Sequence, residues 1–235
     1  MSSRQQQQEE QPAAAAVVPF RMGSPMIVAG PTNSGKTFWV HQLLLKADRM
    51  FERTPKSILY CYSVYQPLYN TIKDSSTIPF TFHEGMPTRQ QFDNMGHSDD
   101  DDDDEFHIIV LDDLMEKIVK NKDMMELFSI YCHHKNVTAI LITQNLFVQG
   151  AHSRNISLNA HVFVLFANKR DEQQIHRLGR QFYPTEWRGF VKAYKDATDQ
   201  DYGYLVVDVT PVHPRILQLR TNIFPPEYPT VYAIC

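Results

Sequence analysis

The stretch MIVAGPTNSGKTFWVHQLLL, at positions 26–45, decides the fold class. Its first residues are apolar and predict a buried strand, and the residues after the glycine-containing loop predict a helix. Between them GPTNSGKT, at positions 30–37, fits the pattern G-x-x-x-x-G-K-[ST] without departure. In a strand–loop–helix unit of this kind, backbone N–H groups and a helix N-terminus face phosphates. The sequence therefore predicts a phosphate-binding loop, with an ordinary glycine-rich turn as the alternative.

The loop motif also predicts a role for individual side chains. We expect Lys36 to reach the β- and γ-phosphate oxygens and the Thr37 hydroxyl to bind Mg²⁺. The other predicted nucleotide-binding positions are the rest of the loop and the residue after it: Gly30, Pro31, Thr32, Asn33, Ser34, Gly35 and Phe38.

A second candidate element is the acidic end of the strand in FHIIVLDDL, at positions 106–114. Its apolar residues lead into Asp112, which we expect to hold the Mg²⁺ water shell, and Asp113, which we expect to orient and deprotonate the attacking water. The alternative for Asp113 is a capping role at a helix beginning near Leu114. Two adjacent acids at the end of a buried strand favour hydrolysis.

The strand in VTAILITQN also ends in polar residues, at positions 143–145. Ligands of open α/β sheets bind at the carboxyl ends of the strands. Gln144 is therefore a candidate for sensing the γ-phosphate or holding the attacking water. The alternative is a strand that simply becomes polar as it enters a loop.

Apolar runs alternate with helical patterns along most of the chain, which indicates one α/β domain. Besides 26–30, strands are predicted at 57–63, 106–114, 137–144 and 160–167, with an edge strand at 202–210. Helices are predicted at 37–47, between the strands at 106–114 and 137–144, and at 171–182 and 184–197. Nearly uninterrupted apolar strands separated by helices predict a mostly parallel sheet covered by helices on both faces.

Composition sets the expected boundaries of this domain. The chain has 235 residues, of which 43% are apolar, enough for one substantial core. Positions 1–20 are low in complexity and predict a flexible arm, 21–222 the domain, about 94–105 an acidic loop, and 223–235 a proline-broken tail. The three cysteines have no spacing typical of a disulfide framework or a zinc site.

Charge and hydropathy limit the possible partners and locations. The run DDDDDDE, at 99–105, carries seven negative charges, which exceeds the formal net charge of −4 of the whole chain. The rest of the chain is therefore weakly basic. That balance is compatible with a nucleic-acid partner but is no evidence for one. No apolar run is long enough to span a bilayer, so we expect a soluble intracellular protein.

With these elements placed, the sequence resembles the FtsK–HerA superfamily of ring-forming DNA-translocating ATPases. Within it, the resemblance is to the genome-packaging ATPases of large DNA viruses and Polinton-type (Maverick) elements. The matching words are GPTNSGKT, YCYSVYQPLY, FHEGMP, IIVLDDL, HHKNVTAILITQNLF and SRNISLNAHVFVLFANKRDEQQIHRLGRQFYP, which cover most of positions 22–224 in unbroken order.

The resemblance implies a RecA-like P-loop NTPase core with ATP and Mg²⁺ as cofactors. It further implies a homo-oligomeric ring that moves double-stranded DNA into a preformed capsid, with a capsid or portal-vertex protein as a possible partner. The corresponding location is the site of virion assembly, in the host nucleus or a virus factory. Many superfamily members have Asp-Glu where this chain has Asp112-Asp113, as the poxvirus-type packaging branch does.

Ring ATPases of this kind complete their site with an arginine from the neighbouring subunit, which stabilises the charge on the transferring phosphoryl group. Arg154 and Arg170 are the favoured candidates because they flank the strand predicted at 160–167. Arg180, at helical spacing from Arg177, is better suited to a solvated face or a DNA contact. Two other functions stay open: a P-loop nucleotide or small-molecule kinase, and an ATP-gated interaction module without useful turnover.

Overall fold

The computed structural model describes residues 17–95, 105–118, 120–121, 136–147 and 159–234. Within these ranges nine strands form one sheet, in the order β3-β2-β4-β5-β1-β6-β7-β8-β9. The strands are β1 (Met26–Ala29), β2 (Ser57–Tyr62), β3 (Phe80–Glu84), β4 (His107–Asp112), β5 (Val137–Thr143), β6 (Val162–Phe166), β7 (Tyr204–Asp208), β8 (Leu219–Thr221) and β9 (Thr230–Val231). The first six in the sheet order pair in parallel, and β7 to β9 extend the sheet antiparallel.

The described helices connect the strands and cover the sheet. They are α1 (Lys36–Leu45), α2 (Ala47–Met50), α3 (Leu68–Ser75), α4 (Arg89–Met95), α5 (Met115–Ile118), α6 (Glu172–Phe182) and α7 (Trp187–Ala197), followed by a short 3₁₀ helix (Arg215–Leu217). No helix among the described residues is long and apolar enough to cross a membrane.

Hydrophobic cores lie on both faces of the sheet, as alternation along β1 shows. Ile27 and Ala29 belong to one core, which also contains Leu178 of α6, whereas Met26 and Val28 belong to the other, which contains Leu43 and other residues of α1. Successive side chains of a strand point to opposite faces, so a strand that is apolar throughout must be covered on both. The predicted α/β class and the mostly parallel sheet are confirmed.

Two details of the sheet differ from the prediction. The segment at 202–210 is not an edge strand, because β7 lies between β6 and β8 and its central residues are buried. The strand β3 has no counterpart among the predicted strands. It lies at the sheet edge with a half-exposed pattern that includes His83 and Glu84, so it lacks the continuous apolar run that marks the central strands.

The predicted domain boundaries stay predictions, but packed residues extend past both of them. Phe20 is fully buried, and its backbone N–H donates to the Met50 carbonyl at 2.8 Å. Ile223 is buried, and the sheet strand β9 follows it along the chain. Of the helix predicted between the strands at 106–114 and 137–144, only α5 is described, and the acidic run up to residue 104 lies outside the described residues.

The strand register brings the predicted site residues to one edge of the sheet. Asp112, the last residue of β4, is aligned with Ile142 of β5, and Ala29 of β1 is aligned with Thr143. The Gly30 backbone N–H donates to the Thr143 carbonyl at 3.3 Å. The carboxyl ends of β4, β5 and β1 therefore meet directly beside the predicted phosphate loop.

Candidate nucleotide-binding site

The phosphate loop joins β1 to α1 through a turn in which two residues have a left-handed backbone conformation, with positive φ. Gly35 has φ +100° immediately before α1 begins at Lys36, and Asn33 has φ +62°. Glycine adopts positive φ without strain, and asparagine tolerates it better than most residues. The Ser34 N–H donates to the Pro31 carbonyl at 3.3 Å and closes the turn. The sequence therefore folds as the strand–loop–helix unit that the motif predicts.

Lys36 is the cation at the centre of this loop. It is only 9% exposed, and its Nζ donates to the Pro31 carbonyl at 2.7 Å. Burial lowers the pKa of the ammonium group because the charged form loses hydration, while the charges of Asp112 and Asp113 act in the opposite direction. An anion bound here would replace the lost hydration, so the loop suits a phosphate ligand.

Asp112 is held by two phenols. The carboxylate is 4% exposed, and its Oδ2 accepts hydrogen bonds from the hydroxyls of Tyr60 at 2.8 Å and Tyr69 at 2.9 Å. Burial raises the pKa of Asp112, and the two phenolic hydrogen bonds offset part of that rise. Both hydrogen bonds reach the same oxygen, so they fix the orientation of the carboxylate from the α3 side of the sheet.

Asp113 and Gln144 are exposed and line the same cavity as Lys36. Asp113 has φ +55°, a conformation that aspartate tolerates, and its N–H donates to the Ile142 carbonyl at 3.3 Å. The bend turns the chain out of the sheet directly after Asp112. The structure therefore brings both carboxylates, Gln144 and Lys36 together, as predicted from the strand ends.

The cavity has a volume of about 600 Å³ and includes loop residues 32–38 and the two acids. Gln66 and Tyr202 also line it, and no sequence motif predicts either of them there. Gly30 and Pro31 do not line it. Gly30 instead packs under the loop, where an added Cβ would lie 2.6 Å from Cβ of Phe166.

A second cavity, of about 450 Å³, adjoins the loop on the side of β6. Arg170 lines it together with Pro31, Thr32 and Gln144, and the arginine is exposed. Arg154 lies outside the described residues. None of the described residues that line the 600 Å³ cavity is an arginine, and Lys36 is the one lysine among them, so it is the cation that the predicted phosphate site offers within the described residues.

The donors present fit a magnesium site of the kind completed by phosphate and water. Among the described residues, no cluster of three or more His, Cys, Asp or Glu side chains could enclose a metal ion. Mg²⁺ in nucleotide sites is typically bound through one or two protein groups, with phosphate oxygens and waters completing the octahedron. Thr37 and Asp112 both line the cavity and are of the right chemical type.

The model for the family described as "Poxvirus A32 protein" matches residues 16–177, which is more than half of the chain and includes the whole loop and both acids. The chain belongs to this family. No curated protein sequence gives a match. Among solved structures, the chain is similar to the genome packaging NTPase B204 from Sulfolobus turreted icosahedral virus 2, solved in complex with ATP-gammaS.

That similarity has a TM-score of 0.54 at 13% identity and covers 91% of this chain and 98% of the B204 chain. At this identity the likeness shows the fold, and it confirms the predicted P-loop NTPase core. The membership in the poxvirus A32 family confirms the resemblance to the viral packaging branch that the sequence motifs indicated.

Proposed function

We propose that this member of the poxvirus A32 family is an Mg²⁺-dependent ATP hydrolase that moves double-stranded DNA into a viral capsid. The observation that carries the proposal is the convergence of Lys36, Asp112 and Asp113 on one cavity, where both carboxylates act electrostatically on the buried lysine. The complex of B204 with ATP-gammaS supports ATP as the nucleotide.

The residues of the site divide the chemistry among them. Lys36 and the loop N–H groups bind the phosphates, and Thr37 and Asp112 would hold Mg²⁺. Mg²⁺, when bound, would neutralise phosphate charge and stabilise the leaving group. Gln144 positions a water, and Asp113 accepts its proton as the water oxygen bonds to the γ-phosphorus and the bond to the bridging oxygen breaks, which yields ADP and inorganic phosphate.

The partner that we propose is double-stranded DNA, and a cationic surface on α6 and α7 supports it. The guanidinium of Arg177 lies 4.4 Å from the ring centroid of Phe147, and those of Arg180 and Arg188 lie 4.6 and 4.7 Å from that of Trp187. All three arginines are exposed, and no ion pair within the described residues involves them. Arginines that pack against aromatic rings, and that form no ion pair with a described carboxylate, are well suited to contact DNA phosphates.

We also propose a homo-oligomeric ring in which a neighbouring subunit supplies an arginine to the site, with Arg154 and Arg170 as candidates. The absence of an arginine among the described residues lining the phosphate cavity supports a donor from elsewhere. The ring would act at the site of virion assembly, against a capsid or portal-vertex protein. A nucleotide kinase, the competing enzyme class, would need an arginine-rich lid beside an acceptor pocket.

The test compares ATP turnover with and without long double-stranded DNA in the wild type, Lys36→Ala and Asp113→Asn. We expect DNA to stimulate the wild type, Lys36→Ala to lose nucleotide binding, and Asp113→Asn to bind ATP while turnover falls by about 10²- to 10⁴-fold. Displacement of a triplex-forming strand measures translocation directly. Turnover that responds to a nucleoside acceptor and not to DNA would contradict the motor function.

Asparagine is the matched replacement at position 113 because it accepts the positive φ that the backbone requires there. An equal loss of binding and turnover in Asp113→Asn would show that Asp113 supports the local structure, as the capping alternative holds, and is not the base. Circular dichroism of each variant confirms that the fold is retained before the rates are compared.

A further inference from the structure

Two large aromatic side chains at the phosphate cavity are exposed and have no role in the chemistry described above. Phe38, on the first turn of α1, is 58% exposed, and Tyr202, in the turn before β7, is 71% exposed. Both line the cavity that contains Lys36, Asp112 and Asp113. Exposed aromatic rings at the mouth of a polar cavity are a feature of ligand sites, because a ligand can cover them.

Tyr202 is held over the phosphate loop by its backbone and by contact with the loop. Its φ of +58° is unusual for a tyrosine, and the turn is closed by a 3.0 Å hydrogen bond from the Gly203 N–H to the Gln200 carbonyl. An added Cβ at Gly35 would lie 3.1 Å from Cδ1 and 3.5 Å from Cβ of Tyr202. The ring therefore rests directly against the turn that opens α1, beside the helix that carries Phe38.

We propose that Tyr202 and Phe38 form the binding site for the nucleobase of the nucleoside triphosphate. The inference rests on the proposed function, because Lys36 and the loop would fix the phosphates and leave the base to extend along the cavity. A purine is a flat aromatic group that gains by stacking on an aromatic side chain and by burying apolar surface. The phosphate loop motif identifies Phe38 only by adjacency and does not point to Tyr202, which is far away in the sequence.

Other exposed aromatic and aliphatic side chains do not share this position. Tyr65, Tyr228 and Ile216 are also exposed, but they are not among the residues that line the phosphate cavity. Exposure alone therefore does not single out Tyr202 and Phe38. What distinguishes them is that both rings border the space next to the phosphate-binding groups.

The test measures dissociation constants for Mg²⁺–ATP and for inorganic tripolyphosphate, which has the phosphates but no base. We expect Tyr202→Ala to weaken ATP binding by about 5- to 150-fold, the range for losing one stacking interaction. Phe38→Ala should act in the same direction. Tripolyphosphate affinity should stay within about two-fold of the wild type, and Tyr202→Phe should restore ATP affinity because the ring is retained.

Tyr228→Ala is the matched control, since it removes a tyrosine of similar exposure that does not line the cavity, and it should leave both affinities unchanged. Unchanged ATP affinity in both Tyr202→Ala and Phe38→Ala would overturn the proposal. Equal weakening of ATP and tripolyphosphate would also overturn it, because Tyr202 would then support the loop and not the base. A wild-type protein that binds neither ligand would overturn the proposed function itself.

Discussion

The Asp112 carboxylate is stabilised by two phenols and destabilised by burial, and burial dominates. Its pKa in the folded protein is raised above the ordinary value, so folding favours the protonated form. The stability that this preference provides is present below the unfolded pKa and is lost as pH rises through the folded pKa. Ionising Asp112 in the folded protein without metal therefore costs free energy, because the charged carboxylate is buried and poorly hydrated.

We therefore expect Asp112→Asn, without nucleotide or metal, to be more stable than the wild type at neutral pH by about 0.5–2 kcal/mol. An asparagine Oδ1 still accepts the hydrogen bonds of Tyr60 and Tyr69 but carries no charge. The difference in the free energy of unfolding should shrink as the pH falls through the folded pKa of Asp112, because the wild-type carboxyl then becomes neutral as well. Urea unfolding at several pH values measures it, and a difference independent of pH would contradict the explanation.

Among secondary structure elements, β2 and α3 position the Asp112 carboxylate that we propose as a metal ligand, since Tyr60 lies on β2 and Tyr69 on α3. Tyr69→Phe removes one of the two donors to Oδ2 and leaves only the Tyr60 hydroxyl to orient the carboxylate. We expect the Mg²⁺ concentration that half-saturates nucleotide binding to rise by about 10- to 100-fold, as for other groups that orient metal ligands. Equilibrium titration of a fluorescent nucleotide against Mg²⁺ measures this shift.

Tyr62→Phe is the control for that experiment. Tyr62 belongs to the same aromatic cluster, with its ring centroid 5.3 Å from that of Tyr69, but its hydroxyl is not a hydrogen-bond donor to Asp112. A similar shift in both variants would indicate a general loosening of the aromatic cluster. A shift in neither would show that the phenols do not orient the metal ligand.

The helices α6 and α7 present the cationic surface that we propose for DNA. The triple variant Arg177→Ala/Arg180→Ala/Arg188→Ala should lose most of the stimulation of ATP turnover by DNA while turnover without DNA is retained. The slope of log binding constant against log salt should become shallower by about 0.9 for each DNA phosphate that the variant no longer neutralises. The matched control replaces Arg49, Lys73 and Arg89, which are exposed at other places on the domain, with alanine.

Unaltered DNA binding in the arginine triple variant would remove this surface from the proposed function. If the variant instead fails to assemble into oligomers while its DNA affinity as a monomer is unchanged, the surface contacts another subunit. Native mass measurement separates these outcomes. Trp187→Ala, which leaves the arginines in place but removes the ring beside two of them, should weaken DNA binding less than the triple variant.

The central elements of this fold could be predicted from the sequence because their signals are local. Strand β1, the loop and α1 follow one another, and β4 and β5 are continuous apolar runs that end in polar residues. The phenols of Tyr60 and Tyr69 could not be assigned to Asp112, since they depend on which strands are neighbours. Tyr202 could not be assigned either, because it meets Gly35 only through the tertiary fold. The edge strand β3 escapes prediction because it is short and only Phe80 and Phe82 of its five residues are apolar.

For the whole molecule, the position of Arg170 raises the question of which subunit would complete each site in the proposed ring. Arg170 lies in the cavity beside its own loop, with Pro31 and Thr32, and is exposed there. Arg154, the other candidate, is outside the described residues. An arginine that acts on the nucleotide of a neighbouring subunit can be distinguished from one that acts on the nucleotide of its own subunit. Only the first can restore turnover at the site of a partner subunit that lacks its own arginines.

The experiment mixes Lys36→Ala subunits, which keep both arginines, with Arg154→Ala/Arg170→Ala subunits, which keep the phosphate loop. If the arginine acts on the neighbouring site, each inactive subunit supplies what the other lacks, and mixed rings should recover part of the DNA-stimulated ATP turnover. Each variant alone should be reduced, by about 10³- to 10⁵-fold for loss of the arginine. Native mass measurement verifies that mixed oligomers have formed. If turnover does not recover in these mixed oligomers, or if a dilute monomer shows full turnover, each subunit contains a complete site.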